Sequence, residues 1–185
     1  MLLRQVLHDF DRYLAARGHS FEALVVGRGA LELAAVETKA RPEIAHAVEV
    51  IYPFISTPIS KMAEHFAQDY ALSTVWLRES GLGDITRSPD GWTRRMHLTT
   101  FAGQAIFLHS LAREDIIALS LLAVIEGRAT PEGVLALGLG PEEIEASRSY
   151  LVERTLDGSM EDEGMARDHV DHRLTLLGDA LRLAA

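Results

Sequence analysis

Cysteine is absent from this 185-residue chain. That removes disulfides, thiolate nucleophiles and zinc–thiolate sites together, and leaves stability to packing alone. Long apolar runs are absent too: none approaches the ~20 residues needed to span a bilayer. The stretch Met1–Phe10 is broken by Arg4, His8 and Asp9 rather than carrying a signal-peptide core. Both features lead us to expect a soluble, cytoplasmic protein with no membrane partner. Positive charge is scarce, 18 Lys and Arg against 27 Asp and Glu, for a net charge of −9. Sequence-independent affinity for phosphate backbones comes from basic side chains displacing condensed cations, so general nucleic-acid binding is not expected. The chain also lacks the Gly-x-Ser-x-Gly elbow of serine hydrolases and the Gly-x-x-x-x-Gly-Lys phosphate loop. It shows no internal repeat and no low-complexity tract.

What is present is enough apolar material to build a core, 48% hydrophobic against 24% charged. Leu2, Leu3, Val6, Leu7, Phe10 and Leu14 recur at helical spacing, which predicts an amphipathic helix over 2–16 stopped by Gly18. Phe21–Val26 is a short apolar run ending in glycine, the pattern of a buried strand, and Ala30–Val36 supplies helix formers just after the turn. Ile44, Val48 and Val50 alternate with Ala45, Ala47 and Glu49, predicting a second strand that ends near Pro53. Thr57-Pro58 places a capping hydroxyl before a first-turn proline, and Ile59, Met62, Phe66 and Tyr70 line one face of a helix over 58–72. From Arg78 to Gly91 turn formers accumulate, predicting a loop, after which Trp92–Leu98 and Gln104–His109 would form a hairpin. Residues 113–126 are apolar all round and predict a central buried helix. Short helices follow from Pro131 and from Pro141 to about Leu156, then a hinge at Gly158–Asp162 and a last helix over 163–183. The reading is therefore an α/β (α+β) fold, a small mixed sheet flanked by helices, with residues 1–138 forming the mixed part and 139–185 a helical extension packed on it. From Pro141 onward eleven Asp or Glu face five Arg, a solvated helical face or else a contact for a basic partner.

Val25-Val26-Gly27-Arg28-Gly29-Ala30-Leu31 resembles the strand, glycine turn and helix start of the minimal nucleotidyltransferase superfamily, the DNA polymerase beta-like fold that includes abortive-infection toxins. Three further stretches agree in order over residues 20–137: Glu43-Ile44-Ala45 where relatives carry a metal-binding Asp-x-Asp, Val75-Trp76-Leu77-Arg78-Glu79-Ser80, and Leu111 through Leu119. The resemblance implies a phosphate-binding turn at Gly27, Arg28 and Gly29, with magnesium and a nucleoside triphosphate as cofactors of an active member. Family chemistry requires two divalent ions about 4 Å apart, held by carboxylates at i and i+2 of a strand. Glu43 can stand for the first, but Ala45 cannot bind magnesium, and the slid register Ala47-Val48-Glu49 again supplies one carboxylate. Glu43 and Glu49 would share a face, six residues and so roughly 20 Å apart. The turn departs from the family's Gly-Gly-Ser or Gly-Ser because Arg28 occupies its middle, either exposed or binding an anion. Gly133 stands where relatives carry an aspartate.

Other constellations are weaker. His169 and His172 lie at i and i+3 beside Asp168 and Asp171, which could hold a transition metal given a third ligand but reads better as a polar surface face. His8, Asp9 and Asp11 read the same way. Arg94 and Arg95 beside Trp92 could stack on a base or simply charge a hairpin edge, and His97 and His109 read as packed or edge residues. Three functional expectations result. The first is a degenerate nucleotidyltransferase-like protein that acts by binding a protein partner, a second copy or a nucleotide. The second is an active magnesium-dependent enzyme using Glu43 with Glu49 or Asp84. The third is a non-enzymatic helical adaptor, should the central strands prove to be helices.

Overall fold

Leu3, Val6, Leu7, Phe10 and Leu14 are buried along one side of α1 (Leu3–Ala15) in the computed structural model, which describes residues 3–34, 47–159 and 162–184. Gly18, with φ of 70°, closes the helix, and the His19 N–H bonds back to the Leu14 carbonyl at 3.1 Å. The expected mixed α/β architecture is present, so the chain is not the all-helical molecule that the third expectation required.

The chain divides into two compact units. The first, Met1–Ser80 with Gly91–Arg113, contains α1, β1 (Phe21–Val26), α2 (Gly27–Leu33), β2 (Val48–Tyr52), α3 (Thr57–Asp69), β3 (Leu77–Glu79), α4 (Trp92–Arg95), β4 (His97–Ala102) and β5 (Ile106–Ser110). The strands form one sheet in the order β3-β2-β1-β5-β4. β1 runs parallel to β5 and β2 parallel to β3, whereas β1–β2 and β4–β5 are antiparallel. Of the six β1 residues only Glu22 is exposed, which accounts for the unbroken apolar run: a central strand is covered on both faces. An aromatic cluster fills part of this unit's core. Phe10 lies 5.1 Å from both Phe66 and Trp76, and Phe66 stacks on Tyr70 at 4.2 Å. The buried Trp76 indole donates to the Ala63 carbonyl at 3.1 Å. Trp76→Phe keeps the ring contact but loses the indole bond to a carbonyl that the α3 ladder already engages, so urea unfolding of the variant is expected to show a loss of about 0.5 to 1.5 kcal/mol.

Four local expectations need correction. α2 begins at Gly27, not Ala30, because Gly27 adopts φ of 72° and the chain winds into the helix directly from the turn. The cap of α3 is Ser56 rather than Thr57, and its hydroxyl makes no capping bond. The expected 78–91 loop is interrupted by β3, since Arg78 and Glu79 pair in parallel with Glu49 and Val50, and by a 3-10 turn at Ile85–Arg87. Trp92–Arg95 is a helical turn set by left-handed Gly91, so the first hairpin arm starts at His97 and Arg94 and Arg95 do not edge a hairpin.

The second unit, Gly81–Asp90 with Glu114–Ala185, holds nearly all of α5 (Arg113–Ile125) and the whole of α6 (Pro131–Leu135), α7 (Pro141–Ser159) and α8 (Glu163–Ala184). Every α5 residue from Asp115 to Ile125 is buried, the all-round apolar pattern expected of it. Gly158 and Ser159 belong to α7 rather than to a hinge. The segment 81–90 is fastened to this unit by side chains. Arg87 donates to Glu126 at 2.9 Å, Arg128 donates to the same carboxylate at 2.7 Å and to the Gly81 carbonyl at 3.1 Å, and the Tyr150 hydroxyl donates to the Arg87 carbonyl. Burial pushes the Tyr150 phenol up to about 12, with Arg154 and Arg87 opposing it. Among the described residues no helix is long and apolar enough to cross a membrane.

Candidate functional site

The glycine turn follows β1 at the edge where β2 begins. Glycine is required at both of its glycine positions for reasons that the geometry states. A Cβ on Gly27 would stand 2.6 Å from a Glu49 carboxylate oxygen, and its φ of 72° is in any case a left-handed value. A Cβ on Gly29 would overlap the backbone carbonyl oxygen of Ala47 and touch the Leu3 side chain at 3.4 Å. Both glycines are buried. The turn is thus a close approach between the start of α2 and the start of β2, held by the absence of side chains.

Glu49 is the expected site residue that the fold brings to this turn. Because β2 starts at Val48, the residue two positions before Glu49 is Ala47, which presents a backbone carbonyl to Gly29 and no carboxylate. Glu49 is already occupied: Arg78, its partner across β2 and β3, donates to Oε1 from Nε at 3.1 Å and also from Nη2. The ion pair is half-exposed on the arginine side, so its net stabilisation is small, about 0–1 kcal/mol. Its consequence is chemical rather than energetic, because a guanidinium competes with any cation for the carboxylate, holding Oε1 while Oε2 faces Gly27. Arg28, next to Gly27, completes the charge count. Its Nε and Nη1 are shielded from solvent and have no hydrogen-bond partner among the described residues. Among the described residues, the ionisable side chains at 28, 49 and 78 sum to one formal positive charge.

The remaining candidates separate. Glu43 lies outside the described residues, and so does its shared face with Glu49. Asp84 belongs to the second unit, where its carboxylate accepts the Thr86 N–H at 2.8 Å and caps the 3-10 turn. That bond holds its carboxyl below the usual aspartate range. His109 pairs through Nε2 with Glu22 at 3.1 Å, and His97 opens β4. His169 and His172 lie on α8, and among the described residues no three His, Cys, Asp or Glu side chains converge on a metal position.

Asp11 is the residue that sequence reasoning placed wrongly. Expected on a solvated face, it is buried, and its carboxylate accepts three backbone N–H groups from the β4–β5 turn: Gln104 at 3.0 Å, Ala105 at 2.8 Å and Ile106 at 2.8 Å. The signal was available, because Leu7, Asp11 and Leu14 follow the i, i+4, i+7 spacing of the buried stripe. Beside it a polar cleft of about 520 Å³ opens between α1 and that turn, lined by Gln5, His8 and Gln104.

No protein-family model, curated protein or solved structure matches the chain.

Proposed function

We propose that this chain acts by binding rather than by two-metal nucleotidyl transfer, on a scaffold of nucleotidyltransferase type, and that its glycine turn takes a phosphate-bearing ligand without magnesium. The observation that carries the reading is the Arg78 guanidinium on Glu49, the carboxylate nearest the turn. Magnesium needs oxygen ligands in near-octahedral array and phosphoryl transfer needs a pair of ions. Here Ala47 offers no side-chain ligand, and Arg78 competes for Glu49, the carboxylate that the described residues bring to the turn. The free donors of Arg28 supply the complementary argument: shielded guanidinium N–H groups gain most from an anion that accepts them. A cytoplasmic setting, where nucleotides abound, belongs to the same reading.

Calorimetric titration with ATP, with and without magnesium, tests it. The expected result is binding of equal strength in both conditions, weakened about tenfold in Arg28→Ala. Strong enhancement by magnesium, or uptake of two magnesium ions with the nucleotide, would overturn the proposal in favour of an active transferase. If ATP does not bind in either condition, the nucleotide ligand is removed and binding of a protein partner is what stands.

A further inference from the structure

Two arginines converge on one carboxylate to fasten residues 81–90 to the rest of the second unit. Glu126, just past the end of α5, takes Arg87 through a fork, with Nη1 on Oε2 at 2.9 Å and Nη2 on Oε1 at 2.5 Å. Arg128 reaches the same Oε2 from Nε at 2.7 Å and donates from Nη1 to the Gly81 carbonyl at 3.1 Å. Its guanidinium lies so close to Gly83 that a Cβ there would stand 2.7 Å from Nη1. The start of the segment, at Gly81 and Gly83, and its turn, at Arg87, therefore depend on a single side chain. Burial would raise the Glu126 carboxyl, but Arg87 and Arg128 outweigh burial and hold it below the usual glutamate range, so it is charged at neutral pH.

The segment is built as one piece with freedom at its ends. Asp84 caps the turn at Ile85–Arg87, and the Ser88 N–H closes on the Ile85 carbonyl at 3.0 Å. Gly83 and Gly91, with φ of 96° and 75°, flank that turn at backbone settings that glycine adopts readily. Buried polar atoms beside it favour release. Leu82 and Ser88 are both buried, yet the Ser88 hydroxyl has no hydrogen-bond partner among the described residues. The shielded Nε of Arg154 has none either, while Nη2 of the same side chain stays 3.9 Å from Asp90. Such orphaned atoms cost free energy only while water is kept from them, and opening hydrates both.

We infer that residues 81–90 form a clasp that opens and closes on the second unit as one piece, with Glu126 as its catch. The Arg87 fork and the Arg128 bonds end on the same carboxylate, so the loss of that carboxylate frees both ends together. The opening is local: it leaves α5, buried from Asp115 to Ile125, in place. The clasp uses no residue of the glycine turn and is independent of whatever binds there.

The absence of cysteine from the chain makes the test clean. Leu82→Cys, Ser88→Cys and, as the reference within α5, Ser120→Cys each place one thiol at a buried position of the full chain. Labelling with dithionitrobenzoate is expected to be about tenfold faster or more at 82 and 88 than at 120. Glu126→Gln keeps the size of the catch and removes its charge. It is expected to speed labelling about tenfold at both 82 and 88 and to leave 120 unchanged. Hydrogen exchange of the cysteine-free chain, with and without Glu126→Gln, makes the same comparison between peptides covering 81–90 and α5, and serves where a cysteine variant does not fold. Equal rates or equal acceleration at all three positions would show that only global unfolding exposes the segment. A Glu126→Gln effect at one of 82 and 88 alone would show two independent parts, and no effect at either would remove Glu126 as the catch. Each of these results overturns the inference.

Discussion

Asp11→Ala is expected to lose about 3 to 5 kcal/mol in chemical denaturation, enough to unfold a marginal domain. The carboxylate closes the β4–β5 turn from α1 by accepting three backbone N–H groups, two of them buried. Removing it strands those donors, and each buried orphan costs about 1–3 kcal/mol, with less than full additivity. Asp11→Asn separates hydrogen bonding from charge. An amide oxygen at the Oδ1 position keeps Ala105 and Ile106, while its NH₂ meets the Gln104 N–H donor to donor, so the loss should fall between wild type and alanine. Gly103 makes the complementary point from the other side: a Cβ there would overlap the Asp11 carboxylate, so Gly103→Ala is expected to weaken the same latch.

Asp11 also sets an acid limit. Burial alone would raise its pKa, but the N–H bonds from Ala105, Gln104 and Ile106, with the nearby His8, outweigh burial and hold the carboxyl below the usual aspartate range. A group whose pKa is lower in the folded state stabilises above its unfolded value and loses that contribution as pH falls through the folded value. The latch is thus intact at neutral pH and weakens from about pH 4 downward. Unfolding midpoints measured across that range should fall more steeply for the wild type than for Asp11→Asn. Equal slopes would show that another carboxylate governs acid stability.

The same residue shows where the sequence was legible and where it was not. Apolar stripes and runs placed α1, β1, α3 and α5, because burying them leaves a local record. β3 left none. Its three residues sit among turn formers and become a strand only through pairing with β2, a neighbour more than two dozen positions away. The Glu49–Arg78 pair was hidden for the same reason: neither residue is unusual in its own segment, and only the β2–β3 register joins them. The glycine turn was visible as a motif, but two different demands, room for a phosphate and room for a packed strand, both select glycine. The sequence could not divide them, and the Ala47 carbonyl beside Gly29 supplies the second demand directly.

Gly29→Ala is the variant that weighs those demands against each other. A methyl at this position meets a backbone oxygen rather than the free end of a side chain, so the clash is relieved only by moving the start of β2 or the axis of α2. β2 is held by β1 on one side and β3 on the other, which makes such a shift costly. Overpacking typically costs about 1–3 kcal/mol and more where backbone must move, against at most about 1 kcal/mol recovered from alanine's helix propensity. The expected net loss is about 2 to 4 kcal/mol by urea unfolding. Gly27→Ala should cost less than Gly29→Ala despite its positive φ, roughly 1–2 kcal/mol, because the Glu49 carboxylate it meets is a side-chain end that can turn away with Arg78. Gly133→Ala, with nothing within 4 Å of the added methyl, should be neutral or gain up to about 1 kcal/mol. If Gly29→Ala instead unfolds like the wild type, the close approach to Ala47 is not what selects glycine there. Loss of ATP binding in that stable variant would then assign the turn to its ligand.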